Sequence, residues 1–116
     1  LHYLLESETR RMLYATDGAW LLKPAWQALE GRPLDAIIWD ATIGEVEGDY
    51  RIFEHNSLAM LRVMAATFRK QGILQPDSKV VLTHLARTLH PSHADLRAQV
   101  AADGFIPAYD GWRLAL

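Results

Sequence analysis

The stretch Leu34-Asp35-Ala36-Ile37-Ile38-Trp39-Asp40 decides the fold. Its branched apolar run over 34–39 follows Pro33 and ends on Asp40, which reads as a buried strand. A second run of the same kind, Lys79-Val80-Val81-Leu82-Thr83, ends on His84. Between the two runs the periodicity changes. Leu58, Leu61, Met64, Ala65 and Phe68 recur at helical spacing, with Asn56 or Ser57 placed to cap the helix and Gly72 to stop it. Strand, helix and strand in that order imply parallel strands joined by a right-handed crossover.

The flanks extend the pattern. Residues 1–6 are strand-like, Ser7-Glu8-Thr9 reads as a turn, and Arg11 to Thr16 reads as a second strand, making a hairpin. Asp17-Gly18 follows at once. Lys23-Pro24 opens a short helix, Pro24–Gly31, in which Trp26 and Leu29 share a face. Ser92 with Asp95 opens the last helix, Ser92–Asp103, with Leu96 and Val100 on its buried side. Phe105 to Ala108, Asp110-Gly111 and Trp112 to Leu116 read as a hairpin around a type I′ turn. The expected fold class is therefore α/β, a mixed and mostly parallel sheet with about three helices on one face and hairpins at both ends. The segment 41–55 is a long connection with no periodicity, of the kind that often carries function.

Composition bounds the rest. The chain has 116 residues, half of them hydrophobic and 22% charged, which suits a single globular domain over 1–116. Its 12 basic and 14 acidic residues give a net charge of −2, so it lacks the basic footprint that draws nucleic acid. No apolar run reaches the ~18 residues that span a bilayer. There is no cysteine, which removes disulfides, thiolate metal sites and a cysteine nucleophile. A cytoplasmic protein is the expectation.

In such sheets, ligands gather beyond the carboxyl ends of the parallel strands. Asp17, Asp40 and His84 fall there, and His55 lies in the loop leading to the same edge. Imidazole and carboxylate together suit a divalent ion such as zinc. Each residue also has a plainer reading. Asp17 can start a turn with Gly18, and Asp40 can cap a loop through Thr42. His55 can be a helix-entry residue, and His84 a hydrogen-bonded structural histidine. His90 and His93 belong to a helix entry and are expected to be exposed, and His2 starts an edge strand. No G-x-S-x-G elbow, phosphate-binding glycine loop or H-E-x-x-H motif is present.

The motifs in sequence resemble one superfamily. Leu13-Tyr14-Ala15-Thr16-Asp17 resembles the strand-plus-aspartate motif of metallo-β-lactamase-fold hydrolases. Val80-Val81-Leu82-Thr83-His84 resembles their final strand-plus-histidine motif. Ile37-Ile38-Trp39-Asp40 and Phe53-Glu54-His55-Asn56-Ser57 are similar to the phosphodiesterase branch, which holds the PhnP-type cyclic phosphodiesterases and, more distantly, tRNase Z. The superfamily's H-x-H-x-D-H motif, which lies upstream, is absent from these 116 residues. The resemblance therefore implies the C-terminal half of an αββα sandwich.

It further implies a metal-dependent phosphodiesterase with two divalent ions in the full-length protein, zinc first and manganese second. A metal-bound hydroxide would attack phosphorus. Asp17, as bridging ligand, and His84 would hold the ions. His55 would serve the phosphate or the leaving oxygen, and Asp40 would orient a ligand or the loop. The fragment alone would bind metal weakly or not at all and would be inactive. Its expected partners are a small phosphodiester, and either the missing N-terminal half or a second copy docked on the apolar sheet face. The alternatives are a thioesterase or lactonase of the same fold, and a non-catalytic half-domain that binds or dimerises through that face.

Overall fold

The computed structural model describes residues 2–116. Five strands form one sheet in the order β1-β2-β3-β4-β5: β1 Tyr3–Glu6, β2 Arg11–Ala15, β3 Leu34–Asp40, β4 Leu74–Thr83 and β5 Phe105–Pro107. β1 and β2 make the expected antiparallel hairpin, and every later pairing is parallel. Three helices provide the crossovers: α1 Lys23–Leu29, α2 Leu58–Lys70 and α3 His93–Val100. Strands 2 to 5 are laid down consecutively in one direction. Right-handed crossovers then place all three helices on the same face.

That face is the core. Leu13, Ile37, Trp39, Val80, Leu82 and Phe105 from the sheet pack with Leu29, Leu58, Leu61, Met64, Phe68, Leu96 and Val100 from the helices. At its centre Trp39 stacks on Phe68 with ring centroids 5.7 Å apart, and Trp26 meets Phe68 edge-on at 4.3 Å. Ser57 caps α2 by accepting from the Met60 N–H, and Ser92 caps α3 by accepting from the Asp95 N–H. Arg62 ties α2 to Glu45 and to Asp103, so a loop beside the sheet and the turn before β5 share one anchor.

Two boundaries differ from the sequence reading. β4 begins at Leu74, earlier than Lys79, because a bulge over 75–78 interrupts its ladder with β3. Register resumes at Ala36–Lys79, and Ser78 Oγ donates to the Leu34 carbonyl at 2.6 Å. The bulge hides the strand from a pattern-based reading, since its residues are polar and include Pro76.

The C-terminal hairpin does not form. A type I′ turn needs positive φ at both central residues. Gly111 has φ +83°, but Asp110 does not lie in that region. The turn closes with Trp112 N–H donating to the Tyr109 carbonyl, and residues 112–116 carry no strand. Asp110 lies beside Thr83 and His84, while Leu116 lies beside Leu5 and Met12 at the far end of β1 and β2. The terminal residues therefore cross the sheet diagonally, over the face opposite the helices.

That second face is unevenly covered. Ala36 and Val81 are buried, whereas Tyr3, Leu5 and Tyr14 on the β1–β2 hairpin stay exposed. Among the described residues, no helix is long and apolar enough to cross a membrane.

Candidate metal centre

The parallel strands end in step, because Ala15 pairs with Trp39 and Trp39 with Leu82. Asp17, Asp40 and His84 therefore reach one edge of the sheet together. Asp17 and His84 each leave their strand through a left-handed backbone, with φ 53° and 57°. They are the only non-glycine residues in that region among the described residues. Aspartate and histidine tolerate it better than most, at a cost of ~1–3 kcal/mol each. The turns bring Asp17 Oδ1 and His84 Nε2 to 3.9 Å.

His55 comes from the long connection, which is less irregular than its sequence suggests. Its ends are pinned by a parallel bridge between Gly44 and Ser57 and by Leu58 N–H donating to the Gly44 carbonyl at 2.8 Å. Inside the loop, Tyr50–Phe53 forms a 3₁₀ turn capped by Asp49. Gly44 has φ +69°, and a Cβ there would meet the His90 ring at 2.9 Å. His90 is therefore half-buried, not exposed as its sequence context suggests, and its Nε2 donates to the Ala41 carbonyl at 2.6 Å. It clamps the chain directly after Asp40. His93 is exposed, as expected.

Asp40 is the hub. Its residue is 0% exposed. Oδ1 accepts from the N–H groups of Thr42, at 2.9 Å, and Asn56, at 3.4 Å. Oδ2 accepts from the Gly18 N–H at 3.3 Å and from His55 Nδ1 at 2.8 Å. Asn56 adds a bond from its side-chain amide to the Asp40 carbonyl. A carboxylate offers about four lone-pair sites, and four N–H donors occupy them. The loop-capping reading of Asp40 through Thr42 is thus realised, but it is one part of a larger assembly.

Thr42 sets the histidine tautomers. Its hydroxyl lies 2.7 Å from the His84 carbonyl, which can only accept, so the hydroxyl proton goes there. Towards His84 Nδ1, 2.8 Å away, Thr42 Oγ1 must then accept, and His84 carries its proton on Nδ1. His55 carries its proton on Nδ1 as well, since that atom faces a carboxylate oxygen of Asp40. In the neutral ring, this tautomer leaves Nε2 of both imidazoles without a proton. Metal-bound histidines are characteristically held in this way, with one nitrogen donating to a carboxylate or other acceptor and the other free for the ion.

Asp17, Asp40, His55 and His84 form one group whose nearest ligand atoms all lie within 4.8 Å of one another and which can hold a metal ion. Two ligands bonded at ~2.0–2.1 Å to one ion are at most ~4.2 Å apart. The Asp17–His84 pair already satisfies that limit. With Asp40 saturated, the donors left over beside one another are the Asp17 carboxylate, 76% exposed, and His84 Nε2, whereas the His55 atom 3.9 Å from Asp17 Oδ1 is Nδ1, the one that Asp40 holds. Nearby, His2 packs on Gly18, and burial lowers its pKa below 6.5 while the Asp40 charge acts the other way.

Sequence reasoning places Asp17, Asp40, His55 and His84 at this edge. It treats Thr42 only as a loop partner of Asp40 and Asn56 only as a helix cap. The Asp40-x-Thr42 spacing is the one local signal for the hub. No family model matches the chain, and no curated protein matches it.

Proposed function

We propose that this chain is the C-terminal half of a metal-dependent hydrolase of the metallo-β-lactamase fold, acting on a small phosphodiester in the cytoplasm. One observation carries the reading. His84 presents Nε2 at 3.9 Å from the exposed Asp17 carboxylate, and Asp17, Asp40, His55 and His84 together offer ligand atoms within 4.8 Å of one another, at the carboxyl edge of a mostly parallel sheet.

In this reading Asp17 and His84 are metal ligands, Asp17 bridging two divalent ions in the full-length protein. The donor set of oxygen and imidazole nitrogen suits zinc and also manganese. Bound ions would supply an activated water and neutralise charge on the phosphodiester. Asp40 holds His55 in its tautomer and orientation. Through Thr42 the Asp40 loop does the same for His84. His55 Nε2 then serves the phosphate or the leaving oxygen. The exposed Tyr3, Leu5 and Tyr14 on the second face support docking of the missing N-terminal half, or of a second copy.

The test is zinc uptake by equilibrium dialysis, followed by turnover of an aryl phosphodiester in the longer protein. The 116-residue chain should bind zinc saturably but weakly, and Asp17→Ala or His84→Ala should each weaken it at least about tenfold. His55→Ala should retain zinc and lose turnover. Uptake unchanged by either ligand substitution would remove the metal centre, and zinc loss in His55→Ala would make His55 a ligand.

A further inference from the structure

The two segments that deliver Asp17 and His55 also build an apolar depression next to them. Ala19, Trp20, Leu22, Ile52 and Phe53 line a hollow of about 260 Å³. Ala19 stands two residues beyond Asp17, and Phe53 two residues before His55. At ~3.8 Å per residue, their Cα atoms lie within ~7.6 Å of those of the two site residues.

The lining is exposed to an unusual degree. Phe53 is 84% exposed and Leu22 71%, with Trp20 half-exposed beside them. Exposed apolar side chains gathered in one place mark a binding surface more often than singly scattered ones do. Nothing in the core requires them: Ile52 and Ala19 touch the core cluster, whereas Trp20, Leu22 and Phe53 do not belong to it.

We propose that this hollow is a subsite for an aromatic ring carried by the ligand whose anionic group sits at the metal centre. The proposal rests on the metal-centre reading for the anion but not for the ring. The volume admits one ring and a short linker, and falls below the ~300 Å³ at which pockets for larger ligands begin. Trp20 and Phe53 offer ring faces and edges for offset or edge-on stacking. The hollow contains no charged side chain, so it selects on shape and apolarity and leaves the anionic group to the ions that Asp17 and His84 would hold, with His55 beside them. An aryl phosphate or aryl phosphodiester is the class that fits both halves.

The experiment compares phenyl phosphate with methyl phosphate on the zinc-loaded chain by calorimetry, in wild type and in Phe53→Ala. It also follows the Trp20 indole N–H signal by NMR while phenol is added without metal. Phenyl phosphate should bind about tenfold or more tighter than methyl phosphate. Phe53→Ala should cut that preference to about twofold while leaving methyl phosphate binding unchanged. Phenol should shift the Trp20 signal in wild type and much less in Phe53→Ala. Binding of both phosphates with no aryl preference would overturn the subsite and leave the metal centre intact. A phenol response without phosphate binding would keep the ring site and overturn the metal centre. Concentration-dependent dimerisation abolished by Phe53→Ala would overturn the subsite by making the hollow an interface between copies.

Discussion

At one end of β3, Asp35 lies partly exposed. It accepts from the Arg11 N–H at 2.8 Å and sits 3.8 Å from the Arg10 guanidinium. At the other end of the same strand, Asp40 is fully buried, and among the described residues no lysine or arginine pairs with it. Its partners are backbone N–H groups and imidazoles. The first aspartate is balanced by a fixed cation in water, where such pairs contribute little. The second is held in the interior by hydrogen bonds alone, one of them from His55, and lies next to His84, a candidate metal ligand. One end of the sheet is finished as an ordinary turn. The other carries a buried carboxyl group, two left-handed non-glycine residues and three loops pinned to one another. Polar groups gathered and strained in this way are a feature of functional sites.

The contrast predicts its largest effect at the two aspartates. Asp40→Ala strips the acceptor from four N–H donors and should destabilise by about 3–5 kcal/mol. Asp35→Ala should cost no more than about 1 kcal/mol. Urea unfolding of both variants measures the difference, and equal losses would erase the distinction between the two ends.

Glycines at the two ends give a sharper, smaller test. Gly44 at φ +69° faces the His90 ring, and Gly31 at φ +70° faces nothing within 4 Å. Alanine at either position carries the left-handed penalty of ~1–2 kcal/mol. Gly44→Ala must also displace His90 from the Ala41 carbonyl, so its melting temperature should fall further than that of Gly31→Ala. Equal shifts would mean that His90 is not a clamp.

The smallest effect has the opposite sign. Glycine relieves the left-handed backbone at the exposed Asp17, so Asp17→Gly should be neutral to ~1 kcal/mol more stable. The same variant should lose zinc uptake. Thermal melts beside dialysis would show whether strain and ligand function coincide at this residue, and a clear loss of stability would argue that Asp17 serves the fold.

The site was partly legible because its strand-end residues obey a local rule. Asp17, Asp40 and His84 each follow an apolar run, and parallel strands in register bring such residues to one edge. His55 was legible through its place before the α2 cap. The rest was hidden because it depends on separations no local pattern spans: 42 residues from Thr42 to His84, and 49 from Ala41 to His90. Nor does the sequence around His90 distinguish a buried clamp from a solvated helix entry.

The C-terminal segment shows the same division in reverse. Asp110-Gly111 is a hairpin signal, and Trp112 to Leu116 could have formed its second strand. The strand did not form because only Gly111 took a positive φ and the terminal residues instead crossed the sheet. By itself, then, the chain's pattern of apolar runs and caps determined the strands, the helices and the edge at which the chemistry gathers, since hydrophobic burial and backbone hydrogen bonding act along each segment. Only the tertiary structure decided which donors saturate Asp40, which tautomer each histidine holds and where the last residues lie. Those outcomes turn on side-chain distances between segments that meet only when the sheet is complete.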